Sequence, residues 1–484
     1  MKILIRLAAE MAIKSDRIRA KFLNRLMRNI QEALSSQNIK HKIENHWSRL
    51  FIEVDSSKIA LTSEILSRIF GISSCSPVEI ECTGGLQEIV TIGTKHYSEV
   101  VKGKKFAVRT KRSGEHPFNS LELNAALGQK LCEAGGTVDL DHPEVKVSLE
   151  VRPQATFFFS REIRGSGGFP IGVGGHALCL ASGGFDSAVA AWLIQKRGVV
   201  VDHVFFNLAD SAYERSVLSV LKFLCEQWSY GTSPRLHIVD FKPVVQEIVS
   251  KVKPGHLQVI LKRLFYRAGE VIAHDIGADA LITGEAIGQV SSQTLKNLRA
   301  IEDALTKLPV LRPLIGADKD EIFVMARKIG TFELSAVIRE VCSLTSTYHP
   351  VTECSPESAR KEERKCDLTI LDNAINQRKI VMIKDLSLHD LVSDDLSIVN
   401  IPDKAEVIDC RSSEEFKRKH YPGSRHILFR DLLLDSKLVL PREKTYVLYC
   451  QVGLKSAVAA QKLRQNGYAA FSIRGGAPSI LDAN

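Results

Sequence analysis

The sequence predicts a multidomain α/β protein, on three observations. A chain of 484 residues is too long for one ordinary hydrophobic core. Strand-like and helix-like segments alternate over residues 173–345, which is typical of a doubly wound parallel sheet. A charged stretch with few large apolar residues begins at residue 346, and a smaller α/β pattern follows it at residues 396–484.

Residues 1–60 predict a small ferredoxin-like unit. Apolar patterning indicates strands at 3–7, 39–44 and 49–54 and a basic amphipathic helix at 17–35. Residues 1–30 contain eight Lys and Arg but only two acidic residues, in a chain of net charge +9. Clustered cations attract a phosphate backbone, but surface helices are also basic for solubility alone. Charge therefore leaves the partner open.

Residues 61–168 predict a second α/β domain. Its expected elements are helices at 62–69, 86–101 and 120–133 and strands at 105–109, 145–151 and 156–163. The basic pair Lys111-Arg112, the segment His116-Pro117-Phe118 and the glycine-rich stretch 165–172 resemble the THUMP domain of RNA-modifying enzymes. This resemblance implies tRNA as a partner.

The segment 182–187, SGGFDS, lies between a strand-like run and a helix-like segment. Glycines allow backbone N–H groups to approach an anion closely, the following helix contributes its positive end, and Ser182 and Ser187 add hydroxyl donors. The spacing differs from that of a Walker loop. Without a ligand, the same residues would form a tight strand-to-helix turn. The motif resembles the PP-loop ATP pyrophosphatases, which transfer AMP to a carbonyl or carboxyl oxygen.

A second motif, GEAIGQVSSQT at residues 284–294, is the most specific text in the chain. Together with SGGFDS it resembles the tRNA 4-thiouridine synthetase (tRNA sulfurtransferase) family, which thiolates uridine at position 8 of tRNA. The likeness covers residues 1–345, so residues 173–345 are expected to form a PP-loop domain.

This resemblance implies ATP and Mg²⁺ as cofactors, with no separate metal site. The residues that match the family's ATP-binding positions are Leu180, Ala181, Ser182, Gly183, Gly184, Asp186, Ser187, Lys262, Gly284 and Gln293. Asp186 is also expected to be catalytic, by binding Mg²⁺ or positioning the loop. Phe205 and Phe206 are weaker candidates for packing around adenine. Without the family, Lys262 would be interpreted as a solvent-facing helix lysine.

Residues 346–395 predict a linker, and residues 396–484 predict a domain with a reactive cysteine. The spacing Cys450-x-x-Gly453-x-Lys455-Ser456, with Asp409-Cys410-Arg411 and Arg474-Gly475-Gly476, resembles a rhodanese-homology domain. A C-terminal domain of this kind matches the long form of the thiouridine synthetases. Loop N–H groups, a helix N-terminus and Lys455 would stabilise a thiolate or persulfide at Cys450. The alternative is an ordinary cysteine at a strand end.

The remaining cysteines follow no metal-binding or disulfide framework, so a structural zinc site and a secreted disulfide scaffold are not expected. Cys132, Cys179, Cys225 and Cys410 are interpreted as buried core residues. The residues alone favour the same interpretation for Cys342. The family resemblance instead implies that Cys342 is catalytic, attacking the persulfide and forming a disulfide with Cys450.

The resulting hypothesis is a two-stage enzyme. ATP activates the C4 oxygen of uridine, and Cys450, charged by a cysteine desulfurase, supplies sulfur. The resemblance also implies sulfur transfer to the sulfur-carrier protein of thiamine synthesis. Three alternatives remain open: a carrier mainly for thiamine, another PP-loop adenylating ligase, and a tRNA-binding protein without activity. Because no long apolar run or secretory signal is evident, we expect a cytoplasmic location without membrane association.

Overall fold

The computed structural model describes residues 1–46, 49–209, 211–338, 349–391, 394–433, 440–451 and 453–481. The chain divides into two compact units, one formed by residues 1–173 with 196–198 and the other by residues 174–195 with 199–484. Each unit contains two sheets. Within the described ranges, no helix combines the length and apolar character needed to span a bilayer.

The first sheet of the N-terminal unit confirms the ferredoxin-like fold. Its elements are β1 (Lys2–Leu7), α1 (Ala9–Ala12), α2 (Asp16–Ser35), β2 (His41–His46), β3 (Arg49–Val54), α3 (Ile59–Arg68) and β4 (Ile72–Pro77). The strands run antiparallel in the order β4-β1-β3-β2. Ile3, Leu4 and Ile5 of β1 are fully buried, so this strand needs partners on both sides. The expected boundary at residue 60 was therefore wrong, because α3 and β4 complete the sheet.

The second sheet of this unit contains the two helices expected at 86–101 and 120–133. Its elements are β5 (Ile80–Cys82), α4 (Leu86–Val101), β6 (Lys105–Arg112), α5 (Ser120–Glu133), β7 (Thr137–Val138), β8 (Val145–Val151) and β9 (Thr156–Phe159), followed by β10 (Ile163–Arg164). The order is β5-β9-β8-β6-β7. The strand expected at 156–163 is two strands, because β10 leaves this sheet and pairs with β4.

The third sheet, in the second unit, confirms the doubly wound parallel architecture. Its elements are β11 (His176–Leu180), α6 (Phe185–Gln195), β12 (Val200–Asn207), α7 (Ser211–Trp228), β13 (Arg235–Asp240), α8 (Lys242–Lys251), α9 (Leu257–Ile276), β14 (Ala280–Ile282), α10 (Leu295–Glu302), β15 (Val310–Leu311), α11 (Lys319–Ile329), α12 (Phe332–Ala336), α13 (Pro356–Glu363), α14 (Leu368–Asn376) and β16 (Lys379–Met382). The order β15-β14-β11-β12-β13-β16 is parallel except for β16. In such sheets, ligands bind beyond the carboxyl ends of the strands.

Most of the expected linker belongs to this domain. Helices α13 and α14 bury Ala359, Leu371 and Ile375 in its core, and β16 extends the sheet by pairing with β13. Glu363 of α13 forms an ion pair with Arg263, whose side chain is fully buried in α9. The prediction that residues 346–395 form a linker was therefore wrong for α13 through β16. The charged residues that suggested a tether instead include buried partners for the charges of α9.

The fourth sheet confirms the rhodanese-like α/β pattern. Its elements, after the short helix α15 (Leu388–Leu391), are β17 (Ser397–Ile398), β18 (Glu406–Asp409), α16 (Ser413–Arg418), β19 (Arg425–His426), α17 (Phe429–Leu433), β20 (Thr445–Tyr449), α18 (Leu454–Gln465), β21 (Ala469–Ile473) and α19 (Ala477–Leu481). All strands are parallel, in the order β17-β21-β20-β18-β19. The central strand β20 ends at Tyr449, directly before Cys450.

Candidate nucleotide and sulfur sites

The SGGFDS loop connects β11 to α6 at the carboxyl edge of the third sheet. Its two serines close the turn: the Ser182 backbone N–H donates to Ser187 Oγ at 3.3 Å, and Ser187 Oγ donates to the Gly184 carbonyl at 3.2 Å. The Gly184 N–H donates to Ser182 Oγ at 3.3 Å. These bonds hold the loop at the N-terminus of α6, where the helix dipole favours an anion.

Two glycines permit close backbone approach at this loop. Gly183 has φ +73°, and a Cβ there would lie 2.6 Å from Ile338 Cδ1. At Gly284, after β14, a Cβ would lie 2.6 Å from the Asp186 carbonyl carbon and 2.7 Å from the Ser187 nitrogen. Contacts under 3.0 Å with backbone atoms cannot be relieved by side-chain rotation, so Gly284 is required for the loop to sit against β14.

Asp186 is held by two side chains that the sequence reasoning missed. Lys319 Nζ, at the start of α11, lies 2.9 Å from Asp186 Oδ1 and 3.1 Å from Oδ2. Gln289 Nε2, from the GEAIGQVSSQT motif, donates to Asp186 Oδ2 at 3.0 Å. Gln289 could have been found because it lies within the quoted motif. Lys319 is 133 residues away from Asp186 in sequence and carries no local signal.

Lys262 reaches this region through a buried carboxylate. Its ammonium donates to Glu285 Oε1 at 3.2 Å, while Tyr266 Oη and Arg312 Nε donate to Glu285 Oε2 at 2.6 and 3.0 Å. Burial disfavours the charged form of Glu285, but Lys262, Tyr266 and Arg312 outweigh this effect and keep its pKa below the usual value. Lys262 is thus held by Glu285, the residue after Gly284 in sequence, and is not a free surface lysine.

The other residues expected to contact ATP are placed as follows. Leu180 ends β11, and the Ala181 N–H donates to the Val204 carbonyl at 2.8 Å, so both lead directly into the loop. Gln293 is 8 % exposed, and its Oε1 is buried with no hydrogen-bond partner among the described residues. Phe205 and Phe206 are 1 % and 7 % exposed and pack against Tyr213 and Phe265, so they fill the core and leave the adenine role unsupported.

This arrangement fits a nucleotide phosphate. Glycine backbone and a helix N-terminus present N–H donors, and Lys262 and Lys319 supply cations that are each paired with a carboxylate. Gln293 Oε1 is an unsatisfied acceptor, which suits a hydroxyl or amino donor of the nucleotide and not its phosphates. Asp186 is the one carboxylate of the loop suited to Mg²⁺. No group of three or more metal-binding side chains occurs in the described ranges, so any Mg²⁺ site would depend on the phosphates for further ligands.

The sulfur site is the loop between β20 and α18. Cys450 is 4 % exposed, and its Sγ accepts hydrogen bonds from the Gly453 N–H at 3.2 Å and the Ser456 N–H at 3.4 Å. Ser456 Oγ lies 3.5 Å from the same sulfur. Gly453 makes this cradle possible because it adopts φ +90° at the N-cap of α18. Backbone donors at a helix N-terminus favour an anionic sulfur.

The turn that follows β21 packs against the loop that carries Cys450. A Cβ at Gly476, where φ is +70°, would lie 2.5 Å from the Cys450 carbonyl oxygen and 2.6 Å from the Gly453 nitrogen. The Ala477 N–H donates to that carbonyl at 2.8 Å.

Asp409 is fully buried, and both of its oxygens accept from Arg411, while Tyr449 Oη donates at 2.6 Å. These contacts fix β18 against β20 immediately before the reactive loop.

The other cysteines divide into buried and exposed thiols. Cys342 lies outside the described residues. Cys179 and Cys225 are fully buried, and burial raises the pKa of each thiol to about 12. Cys410 is 4 % exposed, and burial followed by the nearby Cys450 raises its pKa well above the usual value. The interpretation of Cys132 as a core residue was wrong, because α5 exposes it to solvent.

The N-terminal unit exposes part of the basic set noted in the sequence, although Arg6 is buried. Arg17, Lys21 and Arg28 lie on the exposed face of α2, while Leu23, Leu26 and Ile30 on its other face are buried. Lys111 and Arg112 are exposed at the end of β6. Such positions suit contacts to a phosphate backbone, as the charge pattern suggested.

Family models match four consecutive parts of the chain. Thiamine biosynthesis protein (ThiI) matches residues 172–368, and the ThiI ferredoxin-like domain matches residues 2–76. The THUMP domain matches residues 87–160, and the Rhodanese-like domain matches residues 394–483. The first match extends beyond residue 345 through α13, in agreement with its packing.

Similar solved structures include a 4-thiouridine synthetase–RNA complex with bound ATP. It is 31% identical, with a TM-score of 0.67, and the match covers 78% of this chain and 98% of that one. PH1313 from Pyrococcus horikoshii is 27% identical, with a TM-score of 0.52, covering 68% of this chain and 100% of that one.

Curated relatives align over nearly the entire chain. The tRNA sulfurtransferase of Desulfurococcus amylolyticus is 37% identical over 480 residues, or 98% of this chain and 97% of the relative. That of Pyrobaculum aerophilum is 37% identical over 481 residues, with the same two coverages. At this identity over nearly the whole length of both chains, these alignments show that this protein belongs to the tRNA sulfurtransferase family.

Proposed function

We propose that this protein uses ATP to replace the C4 oxygen of uridine 8 in tRNA with sulfur, giving 4-thiouridine. The observation that carries the proposal is the presence of two complete reactive loops in one chain: Asp186 held by Lys319 and Gln289, and Cys450 held by backbone N–H groups. The similar 4-thiouridine synthetase with RNA and ATP bound supports the choice of substrates. The exposed basic face of α2 supports tRNA as the partner.

The first stage is activation of the base. The loop 182–187 and Gly284 would bind the phosphates of ATP, and Asp186 would be the residue that holds Mg²⁺, which would supply positive charge to the departing pyrophosphate. Lys319 and Gln289 orient the Asp186 carboxylate, while Lys262, anchored by Glu285, supplies a fixed cation. The C4 oxygen of uridine then carries AMP, which is a good leaving group.

The second stage is sulfur transfer. A cysteine desulfurase places a sulfur atom on Cys450 as a persulfide, whose terminal sulfur attacks C4 and displaces AMP together with the original oxygen. The Cys342 thiolate then attacks Cys450 Sγ, which breaks the S–S bond, releases the thiolated base and leaves a Cys342–Cys450 disulfide. A two-electron thiol reductant restores both cysteines. The need for such a reductant favours the cytoplasm as the location.

The direct cellular test is the 4-thiouridine content of bulk tRNA. A strain that lacks this chain should contain no 4-thiouridine, and the wild-type gene should restore it while the Cys450→Ser and Asp186→Ala genes should not. Normal 4-thiouridine in the deletion strain would refute the proposal. Normal levels with only Cys450→Ser would refute the persulfide role.

We also propose a second role, sulfur transfer to the sulfur-carrier protein of thiamine synthesis. The match to the family model described as Thiamine biosynthesis protein favours it, as does the Cys450 cradle, which can act without ATP. Cells that carry Asp186→Ala should therefore grow without thiamine, while cells that carry Cys450→Ser should not. Equal growth of the two strains would contradict this second role.

A further inference from the structure

The helix that follows the Cys450 loop, α18, contacts the domain that carries the nucleotide loop. Lys455, in the first turn of α18, places its Nζ 4.9 Å from the ring centroid of Phe223 in α7 and 5.6 Å from that of Phe429 in α17. Helix α7 belongs to the six-stranded sheet domain, whereas α17 and α18 belong to the rhodanese-like domain. Lys455 therefore joins the two domains through its ammonium group, with the ring faces attracting the charge.

The position of the Phe223 ring, against which Lys455 lies, is fixed by the packing of α7. Gly330, which ends α11 with φ +84°, lies against the Phe223 ring so closely that a Cβ there would lie 2.9 Å away. Lys222, the residue before Phe223 in α7, donates from its Nζ to the Lys384 carbonyl at 2.5 Å, so the segment that leads to the rhodanese-like domain is bound to the same helix. Helix α12 contacts α17, the helix that carries Phe429.

Helices α7 and α12 also contact the nucleotide loop. Ser335 Oγ of α12 donates to the Gly183 carbonyl at 2.9 Å, and Val217 of α7 would contact a Cβ at Gly183 at 3.0 Å. Ile338, just after α12, also packs against Gly183, since its Cδ1 would lie 2.6 Å from a Cβ there. Cys342 follows Ile338 by four residues in sequence. One face of the six-stranded sheet domain, formed by α7 and α12, thus contacts both the nucleotide loop and the rhodanese-like domain.

We propose that this α7–α12 face is the docking surface for the sulfur-bearing loop, and that Lys455 on Phe223 holds Cys450 there during transfer to the activated base. The proposal rests on the proposed function, since it assigns a position to the second stage of that reaction. Phe223 lies outside the rhodanese-like domain, so we expect loading of Cys450 by a separate donor protein not to depend on it. Loading and transfer should therefore respond differently to a change at this residue.

The test is Phe223→Leu in the full-length protein, which keeps most of the apolar volume but removes the ring that attracts Lys455. The matched control is Phe471→Leu, because Arg464 lies 4.5 Å from the Phe471 ring within the rhodanese-like domain. Three quantities are measured: persulfide on Cys450 after incubation with a cysteine desulfurase and cysteine, pyrophosphate released with tRNA and ATP–Mg²⁺, and 4-thiouridine formed in a single turnover.

We expect Phe223→Leu to leave persulfide loading and pyrophosphate release within twofold of wild type and to slow 4-thiouridine formation about fivefold. Phe471→Leu should change none of the three. An unchanged single-turnover rate in Phe223→Leu would overturn the docking proposal, whereas absence of 4-thiouridine with the wild-type protein would instead refute the proposed function.

Cross-linking provides a second measurement that does not depend on the reaction with tRNA and ATP. In the full-length Ala336→Cys/Arg430→Cys protein, which keeps Phe223 and Lys455, a short bismaleimide should join the two introduced thiols across the contact between α12 and α17, as mapped by mass spectrometry. The pair Ala336→Cys/Lys417→Cys is the control, since Lys417 lies exposed on α16 of the same domain. Equal cross-linking of the two pairs would contradict a defined docking surface.

Discussion

Lys319 and Asp186 form an ion pair across the nucleotide loop, with Lys319 Nζ 2.9 Å from Asp186 Oδ1 and 3.1 Å from Oδ2. The lysine begins α11, and the aspartate lies in the first turn of α6. The Lys319 ammonium also lies 5.8 Å from the Phe185 ring centroid and 5.5 Å from that of Phe323. This packing keeps the ammonium beside the carboxylate, where the phosphates of bound ATP would add negative charge.

Lys319→Met should therefore reduce tRNA-dependent pyrophosphate release by about 100-fold, the usual effect of removing one preorganised charge from a reacting centre. Persulfide loading of Cys450 should be unchanged because that loop is chemically separate. The control is Lys307→Met, since Lys307 is an exposed lysine of the same domain. Pyrophosphate release within threefold of wild type in Lys319→Met would show that the ion pair has no part in activation.

Gly284→Ala should weaken ATP binding and destabilise the second unit. The added methyl group would lie 2.6 Å from the Asp186 carbonyl carbon, so the loop must shift, at a cost of about 1–3 kcal/mol. Gly316→Ala is the matched control, because a Cβ there meets no atom within 4 Å. ATP affinity measured by calorimetry should fall at least tenfold for Gly284→Ala only. Equal affinities in the two variants would contradict the close approach of β14 to the loop.

Cys450→Ser should abolish 4-thiouridine formation while pyrophosphate release continues, since activation of the base requires no thiol.

For Cys342, mass mapping after one turnover without reductant should find a disulfide with Cys450. Cys132→Ser, which removes an exposed thiol, should leave both results unchanged. Two free thiols at positions 342 and 450 after a completed turnover would eliminate the disulfide step.

Acid should destabilise the six-stranded sheet domain through two buried histidines. His203 and His237 are 0 % and 1 % exposed, and burial lowers the pKa of each to about 4. In the unfolded chain, each histidine titrates near its ordinary pKa of about 6.5, so the unfolded state binds more protons between these values. Stability is therefore full above pH 6.5 and falls as the pH drops towards 4.

The expected loss is about 1.4 kcal/mol per pH unit for each histidine, or about 2 kcal/mol per histidine between pH 6.5 and 5. His203→Phe should remove one of these two contributions. The check is the difference in urea-unfolding free energy between pH 7 and pH 5, compared with wild type. A variant with the same pH dependence as wild type would show that His203 takes up a proton without unfolding.

Local motifs predicted the chemistry better than they predicted its supports. The SGGFDS loop and the Cys450 loop each lie within a few consecutive residues, so the backbone donors could be inferred from glycine and serine positions. Lys319 could not be inferred, because it lies 133 positions after Asp186 in the sequence and meets it only in the folded domain. Gly476 was quoted as part of a motif, but its contact with the Cys450 carbonyl depends on the neighbouring strand β21.

The segment from α13 to β16 shows why charge alone misleads. Its Glu363 would be solvated in a tether, yet it is 4 % exposed and pairs with Arg263 and Arg267 of α9. Buried charges are stable only when paired, and pairing between distant segments leaves no periodicity in the sequence. The same limit applies to Lys262, whose partner Glu285 was quoted in a motif but given no role.

In the proposed reaction, one pocket activates the base and a separate cysteine supplies sulfur. Both parts are measured together in a single-turnover reaction of the purified protein, loaded at Cys450 with labelled persulfide, with tRNA and ATP–Mg²⁺. We expect one AMP and one pyrophosphate for each labelled 4-thiouridine at position 8. Labelled 4-thiouridine formed without AMP, or AMP formed without any thiolated nucleoside, would contradict it.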